Sequence, residues 1–137
     1  MNRARRILVV DDQDDVREMA RLVLAGAGYD VREAGSGREA LRLVRQEEFD
    51  LVLLDINMPE LDGWATLRLL RADDAFQELP VAMFSIKSDV RDKVASLKDG
   101  AIDYITKPFG VDELVHRVGR ILSAADGASA VPTASPR

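Results

Sequence analysis

Cysteine is absent from the chain, which excludes disulfide scaffolds and thiolate metal sites and leaves a cytosolic location permitted. No apolar run approaches the roughly 18 residues that crossing a bilayer requires. The basic start, Met1 to Arg6, leads into an apolar run that ends at Asp11, too short for a signal-peptide core with a small-residue cleavage site. A surplus of positive charge is missing too. The formal net charge is -5, which argues against non-specific nucleic-acid binding as the main task. No internal repeat is visible.

What remains is a single-domain chain of 137 residues, 47% hydrophobic and 31% charged, the profile of a soluble globular protein. Its organising stretch is Phe49 to Gly63. Leu51 to Leu54 is an uninterrupted apolar run, bounded by Asp50 and by a segment containing Pro59 and Gly63. That is the pattern of a strand buried on both faces. Asp55 stands where the run stops, so its carboxylate emerges at the strand's carboxyl end, where open parallel sheets place ligands and chemistry. Pro59 has no N–H for a ladder, so a loop must follow. A turn-forming aspartate is the simpler account of Asp55 taken alone.

Ile7 to Val10 is a second buried run, ending in Asp11-Asp12. Val16, Met19, Ala20, Val23, Leu24 and Ala27 then step by three and four, one helical stripe that Gly28 stops. Tyr29 to Ala34 reads as a short strand. Ser36 and Glu39 have capping-box spacing, and their helix turns Ala40, Leu41 and Val44 inward and ends near Glu48. Gly63 to Arg71 is predicted helical with Leu67 and Leu70 inward, followed by a polar connection from Asp73 to Leu79. Pro80 to Phe84 is the fourth strand. Ser88 or Asp89 caps a polar helix ending at Gly100, where only Val90, Val94 and Leu97 repeat. Ala101 to Ile105 is the fifth strand. From Gly110 to Leu122 an amphipathic helix groups Val111, Leu114, Val115, Val118, Ile121 and Leu122. Five alternating β and α units imply a parallel sheet with helices on both faces. Residues 124–137, rich in Ala, Ser, Pro and Gly, read as a disordered low-complexity tail or linker.

Asp11, Asp12, Asp55, Ser85 and Lys107 all fall at strand ends, so one sheet edge can gather them. Three crowded carboxylates repel, and one would tend to keep its proton. A divalent cation relieves that crowding, and an all-oxygen site suits Mg²⁺. Lys107 is a point-charge phosphate partner, and Ser85 adds a hydroxyl. Together they fit an in-line phosphoryl transfer with Asp55 as nucleophile.

Over residues 5–123 the chain resembles the receiver domain of two-component response regulators. The matching pieces are Val9-Val10-Asp11-Asp12, Leu54 to Pro59, Leu61-Asp62-Gly63 and Gly100 to Phe109. The resemblance implies a flavodoxin-like, doubly wound five-stranded parallel sheet of order 2-1-3-4-5. It implies that Asp55 accepts a phosphoryl group from a histidine kinase or phosphotransfer protein. Asp11, Asp12, Asp55 and the Asn57 carbonyl would hold Mg²⁺, and Ser85 and Lys107 would contact the phosphoryl oxygens. The Lys107-Pro108 bond is expected cis. Tyr104 looks like an aromatic switch that turns inward as Ser85 moves; a surface tyrosine with a wet hydroxyl is the alternative. The switched face, helix four, strand five and helix five, would meet an unknown downstream protein, and a phosphorylation-linked dimer is compatible with it. The implied protein is a stand-alone, cytoplasmic phosphoacceptor rather than an enzyme, with neither direct nucleic-acid binding nor membrane insertion.

Ile86 departs from the family pattern, which has a small residue there, and is expected to slow phosphorylation and hydrolysis. A pseudo-receiver that only binds protein is one alternative, favoured by Ile86. An Asp-nucleophile phosphatase is another, disfavoured because Asn57 stands where its general acid would be. Asn57 and Lys87 occupy the positions that tune phosphate lifetime in the family. His116 reads as a surface histidine, Glu60 and Asp62 as turn and cap residues, Trp64 as a neighbour of the site loop, and Arg3, Arg5 and Arg6 as a solvated terminus.

Overall fold

A computed structural model describes residues 4–86 and 90–134. Five strands, β1 (Arg6–Val10), β2 (Asp30–Ala34), β3 (Leu51–Asp55), β4 (Val81–Ser85) and β5 (Asp103–Thr106), alternate with five helices. The helices are α1 (Asp14–Gly26), α2 (Gly37–Gln46), α3 (Gly63–Ala72), α4 (Val90–Lys98) and α5 (Val111–Ala134), and a 3-10 turn spans Asp74–Phe76. All strand pairs are parallel and the order is β2-β1-β3-β4-β5, as the family resemblance implied.

Strand side chains alternate between faces, and the two cores follow that alternation. Ile7, Val9, Leu51, Leu53, Ala82, Phe84 and Ile105 point one way, under Ala20 and Leu24 of α1 and Leu114, Val118, Ile121 and Leu122 of α5. Leu8, Val10, Val52, Leu54, Val81, Met83 and Tyr104 point the other way, under Ala40 and Val44 of α2 and Leu67 and Leu70 of α3. Every residue of β3 is buried, which is why its sequence shows no polar alternation.

Local signals act as the residue types dictate. Beyond α1, Gly28 adopts φ 101°. Its N–H bonds the Ala25 carbonyl and that of Tyr29 bonds Leu24, the paired bonds of a Schellman stop. Ser36 caps α2 by accepting from the Glu39 N–H. The Glu39 carboxylate answers at the N–H of Gly35, one residue before the cap. Asp62 caps α3 by accepting from the Ala65 N–H, and Glu60 takes φ 67° in the loop before it.

Three expectations change. The tail predicted to lack structure over 124–137 is helical as far as Ala134; Ala124, Ala125 and the alanines beyond favour helix, and Arg5 pairs with Asp126. Arg5, read as part of a solvated terminus, therefore holds a fixed partner. Met19 and Val111, read as inward, are exposed, because each sits at the rim of its stripe. The cap residues Ser88 and Asp89, Lys87, and Arg3 lie outside the described residues. Among the described residues no helix is long and apolar enough to cross a membrane.

Candidate functional site

Asp11 follows the last residue of β1 and is fully buried. Its N–H donates to the Ala34 carbonyl at 3.1 Å, and its Oδ1 accepts from the Gln13 N–H at 2.9 Å. Oδ2 takes the Lys107 ammonium at 2.6 Å. Asp55, the last residue of β3, is 5% exposed, and its Oδ1 lies 3.2 Å from the same Nζ. Asp12 is exposed in the β1–α1 loop. The carboxylates of Asp11, Asp12 and Asp55 each bring an oxygen within 4.8 Å of the others.

Lys107 follows β5 and its bond to Pro108 is cis. Its N–H donates to the Ser85 carbonyl at 2.7 Å, so the ends of β4 and β5 are tied where the site needs them. The ammonium also lies 4.8 Å from the Phe84 ring centroid, a cation–π contact in a poorly solvated place. Ser85 ends β4 and is buried. The parallel sheet thus brings Asp11, Asp12, Asp55, Ser85 and Lys107 to one edge. Asn57 is exposed in the loop after β3, two residues beyond Asp55.

Burial pushes the Asp55 carboxyl up to about 6 from 3.8; Lys107 pulls it down, while the charges of Asp11 and Asp12 push it up. A single lysine does not satisfy this much negative charge. The donor set fits Mg²⁺: all three groups are hard oxygen ligands, and oxygens on opposite sides of that ion lie about 4 Å apart.

Tyr104 is 4% exposed and packs in the α2/α3 core, which overturns the surface-tyrosine alternative. Ile86 is 69% exposed. His116 is exposed as expected, and Trp64 packs against the core beside the site loop. A groove of about 1500 Å³ runs along the opposite edge, past Phe49, Pro80, Ile102 and Asp126. It contains none of Asp11, Asp12, Asp55, Ser85 and Lys107, so the convergence of those side chains rather than depth marks the site.

Two supports act through contacts that sequence reasoning did not supply, although Gly63 itself stands in the Leu61-Asp62-Gly63 motif. A methyl group on Gly63 would fall 2.8 Å from the Ile56 Cα and inside the Asp55 carbonyl, so only glycine lets α3 seat on the Asp55 backbone. Gly63 also donates its N–H to the Ile56 carbonyl at 2.8 Å. The other support is Arg17, whose Nη1 donates to the Asp11 carbonyl at 2.7 Å. Its position on the half-polar α1 gives no signal without the partner residues in view.

Comparison with known proteins agrees with this arrangement. The family model for the response regulator receiver domain matches residues 7–119. The DNA-binding response regulator MtrA of Mycobacterium tuberculosis is 47% identical over 113 residues, covering 82% of this chain and 48% of that protein. The chain spans about half the length of the curated relatives it matches. Among solved structures, the chemotaxis protein CheY4 of Vibrio cholerae superposes with a TM-score of 0.82 at 30% identity, covering 86% of this chain and 98% of that one. NtrX of Brucella abortus does so with a TM-score of 0.89 at 33% identity, covering 96% of this chain and 30% of that one.

Proposed function

This chain belongs to the response regulator receiver domain family of two-component signalling, and from that premise we propose that it is a Mg²⁺-dependent phosphoacceptor. The observation that carries the reading is the buried Asp55 carboxylate, crowded by Asp11 and Asp12 and bridged to Asp11 by one ammonium. An Asp55 oxygen attacks the phosphorus of a phosphohistidine on a kinase or phosphotransfer protein. The O–P bond forms, the P–N bond breaks, and the departing imidazole takes a proton from solvent. Asp11, Asp12, Asp55 and the Asn57 carbonyl are the residues to hold Mg²⁺, which when bound neutralises the carboxylates and draws charge from phosphoryl oxygens. Lys107 is near enough to Asp55 to follow the new negative charge, and Ser85 supplies a hydroxyl from the neighbouring strand end.

The transferred group adds up to about two negative charges at one point. Lys107 and Ser85 respond to it, and through β5 the response reaches Tyr104 and the face formed by α4, β5 and α5. That face, with Val94, Leu97, Ile102 and Val111 exposed, is the surface offered to a downstream protein or to a second phosphorylated copy. The reading makes the protein a cytoplasmic signalling part that turns over at most its own acyl phosphate. It assigns the protein no direct nucleic-acid contact, in keeping with its net charge of -5.

Intact-mass measurement after treatment with acetyl phosphate tests this. Wild-type protein with Mg²⁺ should gain one phosphoryl group. Protein in EDTA and the Asp55→Asn variant should gain none. Uptake by Asp55→Asn, or none by wild type with Mg²⁺, overturns the assignment.

A further inference from the structure

Arg17 stands one turn into α1, and only 17% of its side chain is exposed. Besides the bond to the Asp11 carbonyl, its Nε donates to Glu33 Oε1 on β2 at 3.0 Å and its Nη2 to Asp14 Oδ1 at 2.7 Å. The second oxygen of Glu33 is held by Arg21 at 2.7 Å. One planar guanidinium therefore joins a strand, a helix and the loop between β1 and α1. An ion pair with Glu33 alone would not require this, since Arg21 makes one without touching the loop.

The carbonyl that Arg17 holds belongs to the peptide joining Asp11 to Asp12. A peptide unit is rigid and planar. The Asp11 N–H is already fixed on Ala34, so pinning the following carbonyl fixes the plane between the two acidic residues. That plane sets the direction in which both side chains leave the backbone. Outer partners of this kind orient ligands without touching the ion. We propose that Arg17 is a positioning residue for the acidic site, locking the Asp11–Asp12 peptide so that both carboxylates face Asp55. The inference rests on the Mg²⁺ reading for its consequence, but the locking itself is a property of the metal-free protein.

The test compares wild type, Arg17→Ala, Arg17→Lys and Arg21→Ala. Arg21→Ala takes a similar ion pair from Glu33 and leaves the loop alone. Hydrogen–deuterium exchange in EDTA, read at the amides of Asp11 and Gln13, should run about tenfold faster in Arg17→Ala than in Arg21→Ala. Calorimetric titration with Mg²⁺ should show a Kd raised by about tenfold in Arg17→Ala and unchanged in Arg21→Ala. Arg17→Lys, which reaches one acceptor but not three, should fall between, and it carries the comparison if Arg17→Ala fails to fold. Matching exchange and matching Kd in the Arg17 and Arg21 variants overturn the proposal. Wild-type protein that binds no Mg²⁺ overturns the metal reading instead, while the exchange comparison still decides the role of Arg17.

Discussion

Two neighbouring stretches of the same sheet edge are built to opposite standards. Around the ends of β1 and β3 almost nothing is left to move. Asp11 is bonded through its N–H, its carbonyl and both carboxylate oxygens, and the backbone of Asp55 has the first residue of α3 seated on it. Past the end of β4 the chain is far less embedded. Ile86 is 69% exposed, and the two described apolar side chains of the α4 stripe, Val94 and Leu97, are 44% and 53% exposed. The far end of α4 is secured differently, by Arg71, which donates twice to the Gly100 carbonyl and once to that of Phe76. A chemical centre needs fixed geometry, whereas an element that reports on it must be cheap to displace. The contrast is what the proposed reading requires: a fixed phosphoacceptor centre and a loosely held α4 to report on it.

The sharpest way to break the contrast is to truncate a side chain on each side of it. Leu54→Ala, at a fully buried position, should lose about 2–5 kcal/mol of stability, and Leu97→Ala no more than about 0.5 kcal/mol, both read by urea denaturation. Comparable losses would show that α4 is held as firmly as the centre.

Next comes the charge at the centre. The Asp55 carboxyl sits at about 6 in the folded protein against 3.8 as the ordinary value. Between those pH values the folded state binds the extra proton, so stability falls as pH rises through the window and the deficit is complete above it. The full shift corresponds to at most about 3 kcal/mol. Asp55→Asn should therefore be more stable than wild type at pH 7.5 in EDTA, with the gap narrowing toward pH 4.5 and also on adding Mg²⁺ to wild type. A gap that stays constant with pH would remove burial of charge as its cause.

Gly63→Ala should cost about 1–3 kcal/mol through overpacking and, unlike Leu97→Ala, should weaken Mg²⁺ binding by displacing the Asp55 backbone. Normal Mg²⁺ affinity in that variant would mean the seat of α3 is adaptable. The smallest effect is expected at Ile86. Ile86→Ala should quicken both acetyl-phosphate labelling and dephosphorylation by a few fold, a barrier change below about 1 kcal/mol; unchanged rates would show that an exposed isoleucine does not obstruct the approach.

The legible part of the molecule was whatever short-range pattern controls. Leu51 to Leu54 and Ile7 to Val10 are runs too apolar for anything but central strands, and parallel topology then carries Asp11, Asp12, Asp55, Ser85 and Lys107 to one edge without further information. The capping role of Asp62 was likewise readable, while the cis Lys107-Pro108 bond followed from the family resemblance. Long-range partners were not. Arg17 looks like any helical arginine until Glu33 of β2 is placed beside it. Tyr104 occupies a strand position open to either surroundings, and its burial depends on how the helices cover the outermost strand, which α4 contacts. The alanine-rich segment after Ser123 has a composition that suits a linker and a helix equally, so composition could not choose.

The reach of Lys107 has one further consequence. β5 is an outermost strand, hydrogen-bonded to β4 alone, yet its following residue extends across β4 to carboxylates at the ends of β3 and β1. That single ammonium is a guy-rope from the rim of the sheet to its middle. On the proposed reading, a cation or phosphoryl group that claimed those two carboxylates would slacken it, and the margin of the molecule, rather than its heart, would register the arrival first.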